Sequence, residues 1–221
     1  MSSKEDNPDL ENLPHDFSFK MIVIGDAGVG KSCLTGRAII DRFDDEYSPT
    51  VGFEFLTFTT KIEDKIIKLQ IWDTCGQEVY RSLITNFYRN SSLAMMVYSI
   101  NSRESFIHIN QWLKEVKIHS HPDVKIILVG NKADLENERA VTKEEAKKFM
   151  EENELLYFEE TSAMTGLNAK EVFTEAAKIL YEEHKKYRTR AMNNNISQNN
   201  TKTNTPTKIT KVEQNRNTGC C

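Results

Sequence analysis

Cysteine is scarce in this chain. Of 221 residues only Cys33, Cys75, Cys220 and Cys221 are cysteines. Their spacing builds neither a disulfide framework nor a zinc site. Cys33, in a helical pattern, reads as a small buried apolar residue. Long apolar runs are missing as well, and none approaches the roughly 20 residues that cross a bilayer. The first residues carry Lys4, Glu5, Asp6, Asp9 and Glu11, unlike a signal peptide, and residue 2 is serine, unlike an N-myristoylation site. Together these absences lead us to expect a protein made and kept in the cytosol. An excess of positive charge is absent too. The net charge is −4, and it is unevenly spread. From Thr189 onward, Arg190, Lys202, Lys208, Lys211 and Arg216 face only Glu213, so the body is more acidic than the whole. An acidic body gives no support for nucleic-acid binding, whereas a modestly basic tail suits an anionic membrane surface. His108, His119, His121 and His184 have no catalytic partner in view and read as surface residues. There is no internal repeat.

What is present is an alternation of strand and helix patterns. Strands are expected at 17–25, 53–62, 66–72, 92–100, 125–130 and 155–160. Helices are expected at about 31–42, 78–89, 103–120, 142–153 and 168–187. This order predicts a single α/β domain, a mostly parallel six-stranded sheet with helices on both faces. The second and third strands, separated by Glu63-Asp64-Lys65, form a hairpin and hence one antiparallel edge strand. Thr142-Lys143-Glu144-Glu145 reads as a capping box. The expected organisation is a loose N-terminal segment 1–16, a domain 17–188, and a tail 189–221. That tail, poor in large apolar side chains, is expected to be disordered.

Four segments carry chemistry, each just after an expected strand. Gly25-Asp26-Ala27-Gly28-Val29-Gly30-Lys31-Ser32 fits a phosphate-binding loop between the apolar run 21–24 and a helix. Its backbone N–H groups and the helix N-terminus suit phosphate oxygens. Lys31 can reach the β- and γ-phosphates, and Ser32 can offer its hydroxyl to Mg²⁺. In Asn131-Lys132-Ala133-Asp134 the carboxylate of Asp134 can accept from guanine N1–H and the 2-amino group, a pairing adenine cannot make. In Glu160-Thr161-Ser162-Ala163 the backbone N–H of Ala163 can meet guanine O6. In Asp73-Thr74-Cys75-Gly76-Gln77, Asp73 can hold Mg²⁺ through water, Gly76 can place an N–H on the γ-phosphate, and Gln77 can orient an attacking water.

These motifs, in order and spacing, resemble those of Ras-superfamily small GTPases, and more narrowly of the Rab family. The resemblance spans about residues 17–187. Thr50-Val51-Gly52-Phe53-Glu54-Phe55, Lys68-Leu69-Gln70-Ile71-Trp72, Arg81-Ser82-Leu83-Ile84, Phe87-Tyr88-Arg89 and the terminal Cys220-Cys221 are the Rab-like marks. The resemblance implies a GTP/GDP switch of vesicle traffic that needs Mg²⁺. It implies that the ring of Phe43 packs against guanine and that Thr50 joins Ser32 and Asp73 at the metal. It also counts Cys33, Tyr47, Lys132, Leu135 and Met164 among the residues lining the nucleotide. The first switch is expected at about 43–52 and the second at about 75–89. Phe55, Trp72 and Phe87 match the aromatic triad where Rab effectors dock, or else they are packing residues. The double-cysteine ending implies two geranylgeranyl groups on Cys220 and Cys221. Expected partners are effectors, an exchange factor, a GTPase-activating protein and a GDP-dissociation inhibitor. The protein is expected to be a monomer cycling between cytosol and the cytoplasmic face of an intracellular membrane.

The chain departs from the Rab pattern in several places. Cys75 stands where alanine is usual, beside the metal and γ-phosphate; it is silent, crowds the second switch, or is open to oxidation. Val79 and Tyr80 replace Arg-Phe, Ser99 replaces aspartate, and Met164 replaces lysine. Intact Gln77 predicts hydrolysis, slow without an arginine supplied in trans. The competing reading is a GTP-bound scaffold that scarcely hydrolyses because of Cys75. A phosphate-loop kinase or ATPase is poorly supported, since the sequence offers no substrate lid or second catalytic domain and Asp134 disfavours adenine.

Overall fold

Strand β1 (Phe17–Ile24) lies inside the sheet, and its sequence shows why. Met21-Ile22-Val23-Ile24 is apolar without alternation, the pattern of a strand covered on both faces. All four side chains are fully buried. The computed structural model describes residues 14–43, 53–74 and 87–200. Besides β1, the strands are β2 (Phe53–Ile62), β3 (Lys65–Thr74), β4 (Leu93–Ser99), β5 (Lys125–Asn131) and β6 (Tyr157–Glu160). Their order across the sheet is β2-β3-β1-β4-β5-β6. The β2–β3 pair is antiparallel, turned at Glu63-Asp64, with Phe55 opposite Trp72; every other pair is parallel. The expected sheet, including its antiparallel edge, is the observed one.

The period-2 alternation of the strands sorts residues into two cores. On one face Met21, Val23, Met95, Val97, Ile127 and Val129 pack with helices α1 (Lys31–Ile40) and α4 (Ala169–Asn200). Helix α4 contributes Val172, Phe173, Ala176, Ala177, Leu180 and Tyr181, the 3–4 spacing of one helical face. On the other face Ile22, Ile24, Ala94, Met96, Tyr98 and Leu128 pack with α2 (Arg103–His119) and α3 (Lys143–Glu152). Helix α2 there presents Phe106, Ile109, Trp112, Leu113 and Val116.

Helix starts follow local chemistry. Ser102 caps α2 by accepting from the N–H of Ser105. Thr142 and Glu145 form the expected capping box of α3. Helix α4 begins as expected but runs on to Asn200, beyond the expected end at 187. No glycine or proline stands between Ala169 and Asn200, so nothing in the backbone stops the helix even where its composition turns to asparagine. The chain divides into two units, Met1–Glu183 and His184–Cys221. The first holds the sheet and every described nucleotide motif; the second includes the distal part of α4. Most of the helix expected at 78–89 (all but Phe87-Tyr88-Arg89), most of both switches, and the candidates Tyr47, Thr50, Cys75, Gly76, Gln77, Cys220 and Cys221 lie outside the described residues.

Candidate nucleotide site

The C-terminal ends of β1, β3, β5 and β6 converge on one rim, where open α/β sheets bind ligands. The turn after β1 is shaped by close packing. Gly25 adopts φ +143, and a Cβ there would fall 2.1 Å from the carbonyl oxygen of Val97. Only glycine fits. Gly30 caps α1 at φ +92 with no side-chain hydrogen bond to the first turn. The first N–H groups of α1 thus have no competing side-chain cap. Asp26 is half-buried, Ala27 and Gly28 are exposed, and Val29 is buried. Lys31 is 5 % exposed, and its Nζ donates to the carbonyls of Gly25 at 2.9 Å and Asp26 at 2.8 Å.

Asp73 comes up at the end of β3. Its carboxylate is fully buried, and its Oδ2 accepts from the hydroxyl of Ser32. Oδ1 is buried with no hydrogen-bond partner among the described residues. Burial pushes this carboxyl up to about 6, against the opposing pulls of the Ser32 hydroxyl and the Lys31 ammonium. A buried anionic oxygen without a donor, beside a serine hydroxyl, is a hard-oxygen donor set that fits Mg²⁺. No cluster of three or more His, Cys, Asp or Glu occurs among the described residues.

The segments expected to read the base are tied to the loop after β1 by one side chain. Asn131 is 1 % exposed. Its Nδ2 donates to the carbonyls of Val29 at 2.9 Å and Gly30 at 3.3 Å. Its Oδ1 accepts from Thr161 Oγ1 at 3.2 Å and from the N–H of Ala163 at 3.3 Å. Lys132 then takes a left-handed conformation and opens a 3₁₀ turn over Ala133–Glu138. That turn carries the exposed Asp134, whose carboxylate accepts from Ser162 Oγ, and the half-buried Leu135. Met164 is 57 % exposed at the same rim. Arg139 braces both segments. It pairs with Glu160 through Nη1 at 2.7 Å and Nη2 at 3.0 Å, and with Glu136 through Nε at 2.9 Å.

The expectations for His108 and Cys33 come out differently. His108 is not an unpartnered surface residue: its Nδ1 lies 2.7 Å from Asp26 Oδ2. The two are 82 positions apart, which spacing alone could not join. Cys33 is half-buried rather than buried, packed at the margin of the α1/α4 core. The ring of Phe43 packs against that same core. Phe55, Trp72 and Phe87 do meet on one surface, and Phe53 joins them. Phe53 lies 4.4 Å from Phe87 and 5.3 Å from Trp72, ring centre to ring centre. Phe53 and Phe55 are 48 % and 49 % exposed. The sequence held that signal, since residues two apart on β2 share a face. Lys20 Nζ stands 5.3 Å over the Trp72 ring, its pKa lowered by partial burial.

Comparisons with known proteins agree with this geometry. A model described as the Ras family matches residues 20–182. The chain is 45% identical to the Ras-related protein Rab11B of Nicotiana tabacum over 168 residues, 76% of this chain and 77% of that protein. It is 46% identical to the Ras-related protein RABA4b of Arabidopsis thaliana over 166 residues, 75% of this chain and 74% of that one. The chain belongs to the Ras family and, within it, to the Rab small GTPases of vesicle traffic; it binds guanine nucleotide and hydrolyses GTP.

Proposed function

We propose that this protein is a Mg²⁺-dependent GTP/GDP switch, tethered by lipid to the cytoplasmic face of an intracellular membrane and cycling with the cytosol. The observation that carries the nucleotide reading is the shared rim. Lys31, Ser32 and Asp73 gather at one part of it, and Asn131 binds the phosphate loop to the segments of Asp134 and Ala163. The triphosphate lies along 26–33, with Lys31 at its β- and γ-groups. Guanine lies between Phe43, Lys132 and Met164, read by Asp134 and by the N–H of Ala163, with Leu135 and Tyr47 at its margins. Ser32, Thr50 and Asp73 hold the cation. Mg²⁺ held by these residues would offset the charge of the phosphates. Gln77 orients the attacking water, and the N–H groups of Thr50 and Gly76 hold the switches only while a γ-phosphate is present. Hydrolysis is slow until an activating protein supplies an arginine finger, an effect of ~10³–10⁵ in rate.

The product of hydrolysis is a changed surface. Effectors read the switches together with the aromatic patch of Phe55, Trp72 and Phe87. An exchange factor and a GDP-dissociation inhibitor complete the cycle of a monomeric domain at 17–188, between the segments 1–16 and 189–221. Cys220 and Cys221 carry the prenyl groups; two lipid signals give stable anchoring where one is marginal. Among the described residues no helix is long and apolar enough to cross a membrane.

Single-turnover hydrolysis of preloaded GTP tests the catalytic part. Slow release of phosphate, accelerated by an activating protein and abolished by Gln77→Leu, is expected. No release even with an activating protein would favour the scaffold held by Cys75. Replacing Cys220 and Cys221 by serine should move the protein from membranes to the soluble fraction with nucleotide binding intact. Unchanged membrane partition would refute the lipid anchor.

A further inference from the structure

Asp26 poses an electrostatic problem. It is a carboxylate within the loop that receives phosphate groups, and like charges at close range repel. Its backbone is also in use, because its carbonyl and that of Gly25 accept from the Lys31 ammonium. Helix α2 answers for the side chain. His108 Nδ1 sits 2.7 Å from Oδ2, and Trp112 Nε1 donates to Oδ1 at 2.8 Å. Both oxygens are thus engaged from one helix, by residues four apart on one face. The Trp112 ring is anchored in the α2 core at 1 % exposure, whereas the His108 side chain is 40 % exposed. Trp112 is therefore held by packing, and His108 stands at the surface with its Nδ1 turned to Asp26.

We propose that His108 and Trp112 are positioning residues for GTP. By holding the Asp26 side chain to α2 they turn its charge from the phosphates and fix the carbonyls of Gly25 and Asp26. Those two carbonyls set the place of the Lys31 ammonium. The inference rests on the reading that Lys31 meets the β- and γ-phosphates. Its consequence is a preference: loosening Asp26 weakens the hold on GTP more than on GDP, because the γ-phosphate is the group with most to lose from a displaced ammonium.

The test uses the full chain loaded with fluorescent GTP or GDP. Release rates, the phosphorus resonances of bound nucleotide, and unfolding by denaturant are read together. His108→Leu should speed GTP release about tenfold, the scale of one hydrogen bond to a charged group, and GDP release less. It should also shift the β-phosphate resonance. His108→Asn, whose Nδ2 occupies nearly the same place as Nδ1, should restore both. Trp112→Phe keeps an aromatic ring, smaller than the indole, loses the N–H, and should act in the same direction. In an Asp26→Ala background His108→Leu should add nothing. A lowered unfolding midpoint with unchanged release rates and resonances would reduce the contact to packing and overturn the proposal. So would an undiminished effect of His108→Leu without the Asp26 carboxylate. Lys31→Ala separates the underlying reading: if it leaves GTP release unchanged, the phosphate role of Lys31 fails. If it speeds release while His108→Leu does not, this inference alone fails.

Discussion

Removing the amide of Asn131 should damage folding and nucleotide retention together. Asn131→Ala deletes four hydrogen bonds at a residue only 1 % exposed, so water cannot readily replace them. Counting about 1 kcal/mol for the bonds to Val29 and Thr161, and about half that for the two at 3.3 Å, gives roughly 3 kcal/mol. That is about two orders of magnitude in an equilibrium constant. The loss divides between the apo fold and nucleotide binding, because a ligand that binds only the folded state adds to its stability. Denaturant unfolding at saturating GDP should therefore register the whole loss. The faster release of GDP should account for part of it. Asn131→Asp sharpens the test. It keeps an acceptor for Thr161 and Ala163 but sets a second carboxylate oxygen against the carbonyls of Val29 and Gly30. It should be at least as harmful as alanine. If Asn131→Ala changes both unfolding and GDP release by less than about 0.5 kcal/mol, the clamp between loop and base segments is wrong.

Gly25→Ala should destabilise by several kcal/mol, because its Cβ meets the Val97 carbonyl at 2.1 Å and its φ of +143 is costly for alanine; calorimetry would show the lost midpoint. Arg139→Ala strands Glu160, which is 4 % exposed, with only Lys143 at 3.6 Å; a loss of about 3 kcal/mol in chemical denaturation is expected, with faster GDP release. Phe53→Ala removes ring contacts to Trp72 and Phe87 and should cost about 1 kcal/mol, while weakening capture of effectors by the GTP-loaded protein in a pull-down. Chelation of divalent cations should speed GDP release, and an unchanged rate would remove Ser32 and Asp73 from the metal.

What the sequence made legible was local. The phosphate loop lies within eight consecutive residues, and the strand before it and the helix after it are contiguous. The hairpin of β2 and β3 and the capping box at Thr142 are likewise signals of a few neighbours. What it concealed depends on distance. Nothing in the run Ile107-His108-Ile109 says that its histidine meets Asp26. Asn131 is legible as part of a base-recognition motif, yet its hold on Val29, 102 positions away, emerges only from the parallel register of β1, β4 and β5. The Ala133–Glu138 turn was also hidden, since its start requires a left-handed Lys132 that composition does not announce. The course of α4 past residue 187 was hidden too, since asparagine-rich composition masks a segment that holds no helix breaker.

The central claim is that the rim selects guanine through Asp134. Competition for the preloaded fluorescent GDP measures it most directly, with GTP, ATP and xanthosine diphosphate as competitors. GTP should displace the label stoichiometrically and ATP should not. Asp134→Asn should lose GDP affinity and gain xanthosine diphosphate, whose carbonyl replaces the 2-amino donor. Displacement by ATP as readily as by GTP, or an Asp134→Asn variant with unaltered base preference, would contradict the account.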